Sequence, residues 1–288
     1  MPPDIKFDEL ARPSTRVVAV TGGKGGVGKT LLSVNLGFAL ANAGQRVILL
    51  DGDLGLSNID VQLGLAPRYT LEHLLSGERT LAELLLPVTD GLHVVPAASG
   101  VTRMTRLSAV EHAAIVTAFA ELPQHCDVLL IDTAPGIGDQ VQRLSAAATH
   151  VLVVLCDEPA SLTDAYGLIK VLSREQGVRR FHVVVNRVGQ GTSAEMLFHR
   201  LQRVTDRYLD VQLVFAGEVP DDVMVGRSVR AQRAAMQAFP GCPASRAIQK
   251  LAHGMKRWPA PVAANGRIEF FIDRVLAATR APRLQVVK

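Results

Sequence analysis

Nothing constrains this chain more than the run Gly23-Lys24-Gly25-Gly26-Val27-Gly28-Lys29-Thr30. It satisfies G-x-x-x-x-G-K-[ST] between a strand-like segment, Arg16–Thr21, and a helical one, Lys29–Ala43. Glycines at this spacing let backbone N–H groups turn inward at a helix N-terminus, where the dipole favours anions. Lys29 is expected to reach the β- and γ-phosphates of a nucleotide, and the Thr30 hydroxyl to ligate Mg²⁺. The nucleotide-binding run is therefore Gly23, Lys24, Gly25, Gly26, Val27, Gly28, Lys29, Thr30 and Leu31.

The rest of the chain alternates short β-branched runs with helical periodicity. Further strands are expected at Arg46–Asp51, Leu92–Pro96, Asp127–Asp132, His150–Cys156, Phe181–Asn186 and Val211–Phe215. Helices are expected at Ser108–Leu122, Asp139–Ala148, Ser161–Arg174 and Ser193–Arg207. Strands such as Val17–Val20, Val47–Leu50 and Val128–Ile131 are apolar throughout, as strands buried on both faces are. The fold class is α/β, a doubly wound, mostly parallel sheet flanked by helices. A tail over 1–15 precedes the phosphate-loop domain, 16–257. A Pro/Ala-rich linker over 258–266 then isolates a final helix and basic tail, 267–288.

With 48% hydrophobic and 20% charged residues among 288, wholesale disorder is excluded. No apolar run approaches the ~18 residues of a membrane span, and the N-terminus lacks the apolar core of a secretory signal. Cys126, Cys156 and Cys242 have neither disulfide nor zinc spacing and are expected as reduced thiols of a cytoplasmic protein. From Arg246 onward nine basic residues face only Glu269 and Asp273, while the rest of the chain is slightly acidic.

The strand ending in Asp51-Gly52-Asp53 places two carboxylates at the carboxyl end of the sheet, facing the phosphate loop. Val128–Ile131 leads into Asp132, expected to hold Mg²⁺ through its water shell, and Gly136 and Gly138 permit the following loop to rearrange.

The early Lys24 makes Lys24–Thr30 resemble the deviant Walker A box of the MinD/ParA family. The resemblance implies ATP as ligand, Mg²⁺ as cofactor and slow regulatory hydrolysis. It also implies an ATP-dependent homodimer in which Lys24 crosses into the partner's nucleotide. The catalytic set so implied is Lys24, Lys29 and Asp53. Asp53 orients the attacking water, and Asp51 lies near the Mg²⁺ water shell beside Thr30 and Asp132. Gly52, where the family more often has Ala, is expected to loosen this switch slightly. Asn186 and Arg187, with Pro220 and Asp221 in a loop from Gly217 to Asp222, sit where such ATPases hold adenine.

Within that family, Val20–Asn35, Asp51–Leu65, Val95–Gly100, Cys156–Lys170 and Glu269-Phe270-Phe271 resemble the FlhG (FleN) group of flagellar-number regulators. Membership implies restraint of a flagellar transcription activator of the FleQ type, beside the GTPase FlhF, at the cell pole. Phe7–Arg12 does not reproduce the Asp-Gln-Ala-x-x-Leu-Arg element of some members, which argues against direct activation of FlhF. A MinD-type division-site ATPase and a ParA-type DNA-segregation ATPase are the alternatives. The slightly acidic main body disfavours the latter, and no direct DNA binding is expected. The run Glu158–Lys170 is expected to report nucleotide state to the activator through exposed positions such as Asp164 and Lys170. In the last helix Ile268, Phe271, Ile272, Val275 and Leu276 form an apolar stripe suited to reversible binding on the inner face of the cytoplasmic membrane.

Overall fold

The computed structural model describes residues 15–53, 58–97, 118 and 126–259. Among the described residues there are eight strands: β1 (Arg16–Thr21), β2 (Val47–Gly52), β3 (Leu86–Thr89), β4 (Leu92–Val95), β5 (Val128–Thr133), β6 (His150–Cys156), β7 (Arg180–Val188) and β8 (Gln212–Pro220). They form one sheet in the order β3-β4-β2-β5-β1-β6-β7-β8. Every pairing is parallel except β3 with β4. The expected doubly wound sheet is what forms, and β1 lies inside it between β5 and β6.

Side-chain alternation sorts the strands' apolar residues into two layers. Val18, Val20, Leu49, Leu130, Leu152 and Val154 face α1 (Lys29–Asn42), the helix that leaves the phosphate loop. On the opposite face Val17, Ala19, Ile48, Leu129 and Ile131 meet three further helices: α3 (Leu71–Leu75), α4 (Leu81–Leu84) and the end of α5 (Asp139–Ala147). Val151, Val153, Phe181 and Val183 meet α6 (Pro159–Gln176) and α7 (Ala194–Tyr208) there. The short α2 (Ile59–Leu63) follows the first switch segment. Complete burial of a Val or Leu is worth roughly 1.5–3 kcal/mol, so the two-sided core explains why these strands read as unbroken apolar runs.

Several elements differ from the sequence expectations. The hairpin β3–β4 adds an antiparallel edge, and Pro87 sits where the register shifts, a position that tolerates a missing N–H. Strand β8 continues to Pro220, so Gly217–Pro220 is strand and not loop; Gly217, at φ 143°, lies where the register with β7 slips. Beyond it come three helices that the sequence reading left out: α8 (Val223–Arg230), α9 (Ala235–Ala238) and α10 (Pro243–Met255). Helix α10 packs Ile248, Leu251 and Met255 into the α1 layer and completes it. Trp258, assigned to a linker, is stacked on His182. The N-terminal tail, the segment Leu54–Ser57, nearly all of the helix expected at Ser108–Leu122, and the terminal stripe lie outside the described residues.

Candidate nucleotide-binding site

The phosphate loop is braced from two sides. Gly28, at φ 90°, caps the start of α1, and a Cβ there would lie 2.3 Å from Asn186 Nδ2. That amide donates to the Val27 carbonyl at 2.8 Å, so the end of β7 holds the loop directly. At Gly23 a Cβ would lie 2.1 Å from the carbonyl oxygen of Asp164, which brings α6 against the other side. Lys29 is buried, and its ammonium donates to the Lys24 carbonyl at 3.2 Å. Burial pulls the Lys29 pKa down, while Asp132 and Asp53 act to raise it. An ammonium has three donors. One spent on the loop leaves two for phosphate oxygens.

Asp132 is buried at the end of β5, in register with Asp51 on β2. It accepts hydrogen bonds from the Thr30 and Ser33 hydroxyls, the latter at 3.0 Å. Desolvation pushes its pKa up to about 7, and the neighbouring Asp51 adds to the shift. A buried carboxylate that is costly to charge, beside the Thr30 hydroxyl, fits a divalent cation, which would remove that cost. Thr30 and Asp132 would hold Mg²⁺, which supplies charge neutralisation at the β- and γ-phosphates. Asp51 is fully buried and differently engaged: its oxygens accept the N–H groups of Asp53 (3.0 Å), Asn58 (3.0 Å) and Ile59 (3.3 Å). It anchors both ends of the first switch segment. Gly52 sits where β2 and β5 come close. A Cβ there would lie 2.7 Å from the Asp132 carbonyl and 3.1 Å from Leu144, so glycine lets β2 and β5 approach closely.

The raised Asp132 pKa carries a sign. Between the unfolded value near 4 and the folded value near 7 the folded state binds more protons, so this group's contribution to stability falls as pH rises through that window. His150 and His182, buried with pKa values lowered to about 4 and about 3, act oppositely. The readout is therefore the difference between wild type and Asp132→Asn without nucleotide. Calorimetry should show the wild type losing ground to the variant as pH rises from 4 to 7, by up to about 1.4 kcal/mol per pH unit, and levelling off above. A difference independent of pH would exclude the assignment.

A cavity of about 480 Å³ opens beside the loop, lined by Gly26, Gly28, Leu31, Asn186, Arg187, Pro220 and Asp221. The four residues expected at the base, Asn186, Arg187, Pro220 and Asp221, thus share one cavity with Gly26, Gly28 and Leu31, while Val27, Lys29 and Thr30 do not line it. Arg187 adopts φ 55°, rare for a side-chain-bearing residue, where the β7–β8 register shifts, and this turns the strand end into the cavity. The Asn186 amide spends one of its two N–H donors on the loop. The far wall, Val223, Val225, Gly226 and Val229 of α8, was missed. Its signal was legible: Asp222 caps α8 by accepting from Met224 N at 2.9 Å, ahead of apolar residues at helical spacing.

Lys24 stands apart from Lys29. Its side chain is 37% exposed and paired with Glu158 at the head of α6. The loop after β5 also touches the phosphate loop, Gly136 N donating to the Gly22 carbonyl at 3.3 Å. On α6, Lys170 is exposed as expected, but Asp164 is half-buried with its backbone against Gly23.

Comparison with known proteins agrees with this geometry. The model of the CobQ/CobB/MinD/ParA nucleotide binding domain matches residues 18–233. The chain is 48% identical over 261 residues to antiactivator FleN of Pseudomonas aeruginosa, covering 91% of this chain and 93% of that protein. It is 29% identical over 240 residues to the flagellum site-determining protein YlxH of Helicobacter pylori, covering 83% and 81%. The septum site-determining protein MinD of Pyrococcus horikoshii, solved with Mg-ADP, shares the fold at TM-score 0.69 and 22% identity, over 84% of this chain and 96% of that one. With its two-lysine phosphate loop, buried Asp132 and parallel sheet, the chain belongs to the CobQ/CobB/MinD/ParA nucleotide-binding family, as a deviant Walker A ATPase similar to FleN.

Proposed function

We propose that this protein is an ATP-driven dimerisation switch with slow turnover. Its ATP-bound form restrains a transcription activator of flagellar genes of the FleQ type, at the inner surface of the cytoplasmic membrane. The observation that carries the switch is the division between the two loop lysines. Lys29 is buried at its own phosphate loop, whereas Lys24 is part-exposed and engaged outward with Glu158, where a second protomer could take it up. The partner class rests on the 48% identity to an antiactivator.

The chemistry asked of the protein is positioning. Lys29 and the loop N–H groups hold the β- and γ-phosphates, Thr30 and Asp132 hold the cation, and Asp53 orients the attacking water. Contact between Gly136 and Gly22 ties the loop after β5 to the start of the phosphate loop. ATP adds contacts across the protomers only in the dimer, so nucleotide state becomes assembly state.

Asp53→Ala should keep ATP binding and lose about a hundredfold in hydrolysis, the scale of a lost water-positioning group. By light scattering it should remain dimeric in ATP and monomeric in ADP, while Lys24→Ala stays monomeric in both. An Asp53→Ala protein that turns over at the wild-type rate, or a Lys24→Ala protein that still dimerises with ATP, would reject the switch.

A further inference from the structure

No Asp or Glu occurs between Asp222 and Glu269, a stretch that includes all of α8, α9 and α10. Helix α10 gives this asymmetry a shape. Ala244, Ile248, Leu251, Ala252 and Met255 are buried against the α1 layer. On the outer face Arg246, Lys250 and His253 follow at i, i+4 and i+7, and Lys256 and Arg257 continue in the turn after the helix; all five are exposed. Among the described residues none of them is in an ion pair. Of the five, Lys256 donates a side-chain hydrogen bond to the Ala43 carbonyl at 3.1 Å. The result is a cationic stripe from the cavity end of the molecule, where Ala244 N bonds the Asp222 carboxylate, to the amino ends of β6 and β7.

The stripe's far end is clamped. Trp258 stacks on His182 with ring centres 3.7 Å apart and lies 5.2 Å from His150. The Nε2 of His150 meets the Pro259 carbonyl at 3.1 Å, and since a carbonyl only accepts, that nitrogen carries the proton. Both ring nitrogens of His182 are buried without a hydrogen bond. Trp258 and Pro259 are therefore fixed at the end of the cationic stripe, and the apolar positions Ile268, Phe271 and Ile272 come later in the sequence.

We propose that the outer face of α10 is itself a docking surface for an anionic bilayer and orients the ATPase body on it. The inference rests on the reading that the terminal segment binds membranes. A bilayer is favoured over nucleic acid because, one short linker further along the sequence, an apolar, membrane-suited segment follows the stripe. Clusters of four or more Lys and Arg next to such a segment are drawn to anionic headgroups.

The test is sedimentation of the full-length chain with phosphatidylglycerol/phosphatidylcholine vesicles in ATP. Wild type is compared with Arg246→Glu/Lys250→Glu, Arg246→Gln/Lys250→Gln and Phe271→Glu. The reversed pair should bind at least tenfold more weakly, the neutralised pair should fall between, and ATP turnover should be unchanged in both. Loss in the reversed pair but not in Phe271→Glu keeps the face and removes the terminal segment from the interaction. Loss in Phe271→Glu with both pairs like wild type keeps the terminal segment and overturns the face. Wild type left in the supernatant overturns the membrane reading and the face together. If duplex DNA is then retarded by wild type and not by the reversed pair, the face is a nucleic-acid surface, which equally overturns the proposal.

Discussion

Lys29→Ala will bind ATP about a hundredfold to a thousandfold more weakly than wild type. Truncating one partner of a buried, hydrogen-bonded charge pair costs about 3–5 kcal/mol, and about 4 kcal/mol is a thousandfold. Lys29 meets the conditions for the upper part of that range. It is 6% exposed, its charge is opposed by burial, and Asp132 and Asp53 favour it only partly. A triphosphate supplies what the site otherwise lacks. The same burial means that removing the ammonium should not cost stability in the absence of nucleotide, since an unpaired desolvated charge is itself unfavourable. Titration calorimetry with ATP, and thermal unfolding without it, check both halves. Affinity within tenfold of wild type would show that the loop N–H groups suffice and that Lys29 has been given the wrong task.

Gly23→Ala will destabilise the protein by about 3 kcal/mol, the upper end of the usual cost of overpacking. The added methyl would meet the Asp164 carbonyl carbon and oxygen at 2.3 and 2.1 Å, and these are backbone atoms of α6 that no rotamer change can move. Either the phosphate loop or the helix must shift, so ATP affinity should fall along with stability. Gly25→Ala is the control. Its methyl would meet only Pro135 Cβ, at 3.9 Å, an ordinary contact, so stability should change by less than about 0.5 kcal/mol. Two alanines two residues apart in one loop should therefore differ in melting temperature by roughly 5–10 °C. Equal melting temperatures would mean that α6 does not bear on the loop as described.

That contact also bears on how nucleotide state could reach α6. Position 164 cannot serve as a clean probe of a partner surface, because any change there acts on the phosphate loop as well. Lys170, exposed and two turns along, can.

Much of this protein was determined by sequence alone. The interior strands could be read because burial on both faces demands unbroken apolar runs, and Val17–Val20 and Val128–Ile131 have no other reading in an α/β chain. The phosphate loop, Lys29, Thr30 and Asp132 could be read because their chemistry depends on spacing along the chain, which folding does not alter. Contacts between distant segments could be decided only in three dimensions. Asn186 was expected to address a base; that one of its two N–H donors also braces Val27, 159 residues earlier, is visible only in three dimensions. Gly52 was read only for its backbone freedom; that it also lies in a gap too narrow for a methyl between β2 and β5 is decided by packing. Helices α8 and α10 are short or amphipathic, and their helicity depends on burying one face against the cavity and α1, a gain that exists only once the sheet has formed. Local pattern reports what a residue can do; which neighbour claims it is settled by packing, where each donor and each cubic ångström can be used once.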